Sequence, residues 1–186
     1  MTSQVVFIQG AGEGAYKEDQ LLAQSLQKEL GSDFNVVYPE MPDEANAPYN
    51  AWKQLIQEKI AASREPIILV GHSMGASYLA KILTEIKTST SIAGIFLLAA
   101  PFWGGKGWLY EGYEELELPK NAAATFPSNA KTFLYQTQND EVVPFEHLAL
   151  YAKMLPQATV RKINEGGHQF NNNLSLVATD IKSIVL

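Results

Sequence analysis

Apolar and polar positions along this chain follow two alternating periods. Short runs rich in β-branched and aromatic residues occupy 4–9, 34–38, 67–70, 92–99, 132–137 and 159–163. Several are apolar at consecutive positions, the pattern of strands buried on both faces in a parallel sheet. Between them apolar residues return every three or four positions: Leu21, Leu22, Ser25, Leu26 and Leu30 before a capping Gly31, then Trp52, Leu55, Ile56 and Ile60, and finally Leu174, Val177, Ile181 and Ile184. That spacing predicts amphipathic helices. Strands joined by helices predict an α/β fold of about six mostly parallel strands with helices on both faces. Ligand-binding loops are then expected at the carboxyl edge of the sheet.

One connection departs from this rhythm. Residues 102–128 carry Gly104, Gly105 and Gly107 among Trp103, Trp108, Tyr110 and Tyr113, followed by Glu111, Glu114, Glu115 and Glu117. No strand is readable there and the helical pattern is weak. Long irregular insertions in compact folds are often lids or binding loops. The segment is therefore expected to be lid-like, with Trp103, Trp108, Tyr110 and Tyr113 lining a substrate pocket.

Composition narrows the function classes. The 186 residues fit a single domain over 1–186, and 46% hydrophobic against 18% charged residues argues for a well-buried fold and against disorder. A net charge of −6 disfavours nucleic acid as a partner. The absence of cysteine removes disulfides, thiolate nucleophiles and cysteine zinc sites. No two histidines have ligand spacing, so neither a metal nor a cofactor is expected. The apolar stretch 92–103 is broken by Pro101 and falls short of the roughly 18 residues of a membrane span. Residues 1–14 lack the pattern of a signal peptide. A cytoplasmic protein with no membrane span, acting on a small molecule, is the expectation.

The strongest chemical signal is Gly71-His72-Ser73-Met74-Gly75, which follows an apolar run and opens a helix containing Ala76, Leu79, Ala80 and Leu83. G-x-S-x-G in a strand–turn–helix context predicts a nucleophile elbow: a sharp turn exposes the Ser73 hydroxyl, and flanking glycines let the turn pass neighbouring backbone. The Met74 N–H, at a helix N-terminus, is placed to face an oxyanion. A serine nucleophile needs a base. His72 lies inside the elbow and points away from the site if Ser73 points into it, and His147 fits a solvated or capping role after Pro144. His168 remains, in a loop at the carboxyl edge. The acid that orients it is Asp140, in the loop after 132–137, with Glu141 the nearest substitute although alternation points it away. The order Ser73, Asp140, His168 differs from that of chymotrypsin and subtilisin.

On these residues the sequence resembles the α/β-hydrolase superfamily, and within it the small serine hydrolases related to retinoblastoma-binding protein nine and the bacterial YdeN proteins. The resemblance runs from Gln9-Gly10-Ala11-Gly12 to Gly167-His168-Gln169-Phe170. It implies that Ser73 is the nucleophile, Asp140 the acid and His168 the base of an acyl hydrolase. Two leading strands of the full superfamily sheet are missing. Gln9-Gly10 replaces the usual His-Gly, which leaves the Ala11 N–H as the second oxyanion donor beside Met74.

Two other readings compete. Gly10-Ala11-Gly12-Glu13-Gly14-Ala15 satisfies a dinucleotide-binding fingerprint, Glu40 could hold a ribose, and Tyr49 and Lys53 form a Y-x-x-x-K pair, which together suggest an oxidoreductase. That reading leaves Ser73, Asp140 and His168 unexplained. A non-catalytic binding protein on a hydrolase fold would show the loss of a triad member, and none is missing. Eleven of the 20 acidic residues, Glu13, Glu44, Glu114, Asp140 and Glu141 among them, fall in loops assigned to the carboxyl edge, which predicts an acidic rim favouring neutral or cationic substrates.

Overall fold

The computed structural model describes residues 2–104 and 112–185. Six strands, β1 (Ser3–Ile8), β2 (Phe34–Val37), β3 (Ile67–His72), β4 (Ile92–Leu98), β5 (Lys131–Thr137) and β6 (Thr159–Ile163), form one sheet in the order β2-β1-β3-β4-β5-β6. Every pairing is parallel. All six lie where the apolar runs predict them, and β3 is buried along its whole length.

Alternation along the strands builds two cores. Val5, Phe7, Ile68, Val70, Phe96 and Leu98 pack with helices α1 (Ala15–Leu30) and α6 (Ser175–Val185). Val6, Ile8, Ile67, Leu69, Ile95 and Leu97 pack with α2 (Tyr49–Ala61), α3 (Met74–Glu85) and the short α4 (Ala122–Thr125) and α5 (His147–Met154). Both faces of the central strands are covered, so these carry apolar residues at consecutive positions, whereas the edge strand β6 has no buried residue.

The α1 stripe is rotated from the expected one. Leu22, Ala23, Leu26 and Leu30 are buried, but Leu21 is 50% exposed and Asp19 lies on the buried face. Gly31 ends the helix at φ 80°, its N–H donating to the Gln27 carbonyl at 3.1 Å.

Apart from 102–104, the described part of the irregular segment is 112–128, which contains a 3₁₀ turn at Glu114–Leu116 and then α4. Leu116, Leu118, Ala122 and Phe126 are buried in the α3-side core, and Lys81 of α3 donates to the Glu117 carbonyl at 3.0 Å. This stretch is seated on the fold because four apolar residues recur through it. Trp108 and Tyr110 lie outside the described residues.

The strand order reverses between β1 and β3. The chain leaves β1 into α1 on one face and β3 into α3 on the other, which opens a crevice at the carboxyl ends of these two strands. Among the described residues, no helix is long and apolar enough to cross a membrane.

Candidate active site

Ser73 stands between β3 and α3 with φ 52° and ψ −126°, a conformation non-glycine residues rarely adopt. Its N–H donates to the Leu98 carbonyl at 2.8 Å, and its own carbonyl accepts from Ala76 at 3.0 Å. The turn is possible because its neighbours lack side chains. A Cβ on Gly71 would stand 2.7 Å from the Ala76 backbone, and one on Gly75 would collide with the carbonyl oxygens of Gln9 and Ile8. Gly10 passes close on the other side, where a Cβ would lie 3.2 Å from that of Ser73.

The loops after β5 and β6 bring Asp140 and His168 together. His168 Nδ1 lies 3.0 and 3.1 Å from the two Asp140 carboxylate oxygens. Asp140 also accepts from Gln136 Nε2 at 2.7 Å and from the Val142 and Val143 N–H groups at 2.8 Å each. Burial pushes the Asp140 carboxyl up, but His168 and the Val143 and Val142 N–H groups outweigh it and hold the group below its usual range. The His168 loop is fixed in turn. Asn139 Oδ1 accepts from Gly166 and Gly167, Thr137 donates to the Gly167 carbonyl at 2.8 Å, and Glu141 accepts the His168 N–H at 3.0 Å. No hydrogen bond joins Ser73 Oγ to His168 in this structure. Such contacts are commonly long before substrate binds and tighten in the complex.

Ser73 opens into a cavity of about 250 Å³ lined by Ala11, Gly12, Ala45, Met74, Pro101, Trp103, Tyr113 and Val142. Trp103 and Tyr113 are thus in the expected pocket, their rings 5.4 Å apart. The 101–103 segment is held in place by Ser77 and Tyr151 hydroxyls donating to the Pro101 carbonyl at 2.7 and 3.1 Å, and by the Phe102 N–H donating to His147 Nδ1 at 2.8 Å. His147 is therefore neither solvated nor a helix cap: it is wholly buried, and burial holds its pKa down. A ring nitrogen that accepts from an amide belongs to a neutral imidazole. A larger hollow of about 530 Å³ at the opposite edge, lined from 83–92 and 125–130, gathers hydroxyls and Lys87 but neither a histidine nor a carboxylate.

Ala11 and Met74 both face this cavity. The neighbours of Ala11 are engaged elsewhere: the Gly10 N–H donates to Asp19 at 2.7 Å and the Gly12 N–H to the Glu44 carbonyl at 2.7 Å. Gln9 is fully buried; it donates to Glu44 at 2.9 Å and accepts from the Met41 N–H at 3.2 Å.

The same contacts weigh against a dinucleotide site. The Gly14 and Tyr16 N–H groups at the start of α1 donate to the Glu44 carboxylate at 2.8 and 2.6 Å, so a carboxylate of the chain itself fills the place where a pyrophosphate would sit. Tyr49 and Lys53 both donate to Glu85, at 2.7 and 2.6 Å. Of the acids assigned to the rim, Glu44, Asp140 and Glu141 also accept hydrogen bonds from within the fold.

Pattern reading missed the pairing of Asp19 with His72. His72 Nδ1 lies 2.9 Å from both Asp19 oxygens, and both residues are about 1% exposed. The signal is present in the chain: an aspartate sits in phase with Ala15, Leu22 and Leu26 on the buried stripe of α1.

No curated protein matches the chain. Among solved structures it is similar over 99% of its length to the ydeN gene product of B. subtilis, with 17% identity, a TM-score of 0.71 and 99% of that chain covered. A serine hydrolase involved in carbazole degradation aligns over 99% of this chain and 91% of its own, at 14% identity and a TM-score of 0.75. A hydrolase of the alpha/beta superfamily from Xanthomonas campestris aligns over 96% and 94%, at 16% identity and a TM-score of 0.59. These likenesses establish the α/β-hydrolase fold. Residues 18–174 match the family described as serine hydrolase, and the chain belongs to that family.

Proposed function

We propose that this hydrolase cleaves a carboxylic ester or a related acyl compound through Ser73, His168 and Asp140. The observation that carries the reading is the Asp140–His168 hydrogen bond at the sheet edge where Ser73 opens into an apolar cavity. With Nδ1 held by Asp140, His168 offers Nε2 as its basic nitrogen. Ser73 Oγ attacks the acyl carbon and its proton passes to Nε2. Charge on the carbonyl oxygen is held by the Ala11 and Met74 N–H groups, the latter at the positive end of α3. Collapse expels the alcohol, which takes the proton from His168. Water then attacks the acyl-serine with His168 as base, releasing the acid and restoring Ser73.

The cavity volume supports a short acyl group, since about 250 Å³ lies below the roughly 300–1,000 Å³ typical of drug-sized ligands. The test is a fluorophosphonate probe, which Ser73 Oγ attacks at phosphorus with loss of fluoride. Wild type is expected to carry one adduct on Ser73, and Ser73→Ala none. Equal labelling of both would overturn the reading, and no labelling of wild type would favour a non-catalytic binding protein.

A further inference from the structure

A second aspartate–histidine pair lies against the first and is unused by the mechanism above. The His72 and His168 rings are 4.7 Å apart, and His72 Nε2 meets the His168 backbone carbonyl at 3.0 Å. A carbonyl only accepts, so Nε2 carries a proton. Nδ1 meets Asp19, whose carboxylate accepts the Gly10 N–H at 2.7 Å and Gln169 Nε2 at 3.1 Å as well. An acceptor so used is ionised, so Nδ1 carries a proton too and His72 is an imidazolium. The titratable groups around the ring are Asp19 from α1, Asp140 from the loop after β5 and His168 from the loop after β6. Burial opposes charge on both partners, yet Asp19 is held low and His72 high by their mutual attraction and hydrogen bonds.

A buried ion pair adds little to stability that apolar side chains of similar size could not supply. What distinguishes this one is where its remaining bonds go. Asp19 holds Gly10, which precedes Ala11, and Gln169, which follows His168. His72 precedes Ser73 and holds the His168 main chain. Three loops from distant parts of the chain therefore meet on one carboxylate and one imidazolium. We propose that Asp19 and His72 are positioning residues whose ion pair sets the oxyanion loop, the nucleophile turn and the base loop in register. The inference rests on the roles of Ser73, His168 and Ala11 given above.

The test has three arms. Histidine-selective ¹⁵N NMR of the wild type at pH 8 is expected to show one histidine with both ring nitrogens protonated, its signal absent from a His72→Gln spectrum. Asp19→Asn alone strands a buried charge, so the kinetic variant is the double substitution Asp19→Asn with His72→Gln, which removes both charges together. Gln169→Met, at a half-buried site, keeps the pair and cuts one tie. Fluorophosphonate labelling and ester turnover are expected to slow about a hundredfold in the double variant, the order of loss that about 1 Å of misplacement gives, with KM little changed. Gln169→Met is expected to fall between it and wild type. A pair that only stabilises the core predicts instead that the folded double variant and Gln169→Met label at the wild-type rate, which would overturn the inference, as would a neutral His72 in the NMR spectrum. If wild type itself does not label, the failure lies with Ser73 and not with the pair.

Discussion

Glu141 holds His168 by its backbone N–H, at 3.0 Å, while the adjacent Asp140 holds the ring. Two neighbouring acids thus grip one histidine at different points, and their substitutions are expected to differ sharply. Asp140→Asn lowers kcat by about 10⁴ by favouring the wrong His168 tautomer. Glu141→Gln keeps an oxygen for the N–H and costs no more than a few-fold. Steady-state kinetics on one ester decide this, and a loss below tenfold for Asp140→Asn would move the acid's role to another carboxylate.

Gly75, in the first turn of α3, has no room for a methyl group. In Gly75→Ala the new Cβ meets the Ile8 and Gln9 carbonyl oxygens, which are backbone of β1 and the loop after it and cannot swing aside. Crowding of this kind costs about 1–3 kcal/mol or more. Urea unfolding is expected to show at least that loss, with activity falling further because the displaced loop carries Ala11. A variant of wild-type stability would show that the turn can relax.

Trp103 lines the cavity into which Ser73 opens and is only 5% exposed, so Trp103→Ala combines a larger pocket with about 3–5 kcal/mol of lost packing. Trp103→Leu separates the two effects better. It is expected to raise kcat/KM for longer acyl esters relative to acetyl esters in a graded panel. If every ester slows alike, Trp103 does not bound the acyl group.

The Asp19–His72 pair also predicts the shape of stability against pH. The His72 pKa is raised in the folded state. Its contribution is therefore complete below the unfolded value near 6.5 and is lost as pH rises through the folded value. Asp19 is shifted down, so its contribution holds above the unfolded value near 3.9 and fades as pH falls through the folded one. Melting temperatures of wild type should decline above about pH 6.5, and the double variant without either charge should decline less. Parallel curves would mean that His72 is neutral in the fold.

Exposed acids such as Glu13, Glu40, Glu114, Glu115 and Glu165 remain to form the acidic rim expected at this edge. Matched neutral and anionic esters are expected to differ in kcat/KM by no more than about tenfold at low ionic strength. That gap should close as salt shortens the screening length to about 8 Å at 0.15 M. An anionic ester that reacts as fast at low salt removes any role for this charge.

The four central strands are legible because burial on both faces leaves consecutive apolar residues, the edge strands β2 and β6 only through their β-branched residues, and the elbow because its two glycines answer a steric demand that no other residue meets. The order of Ser73, Asp140 and His168 was legible for the same reason: each follows a readable strand. Asp19 was not, because a lone acid in a helix reads as solvated until its phase on the buried stripe is checked. His147 was misread because its acceptor role depends on the Phe102 N–H, a contact 45 residues away that no local pattern encodes.

The Gln169–Asp19 hydrogen bond joins residues 150 positions apart in the chain. During synthesis the Ser73 turn and the Gly10–Gly12 loop emerge long before the His168 loop, so no N-terminal intermediate contains all the residues of the proposed site. Contacts of such long range form late, after the entropy of closing the loop has been met. Recovery of turnover after dilution from denaturant therefore clocks the docking of β5, β6 and α6 onto the earlier strands. It should lag behind the return of helical signal by whatever time that last step takes.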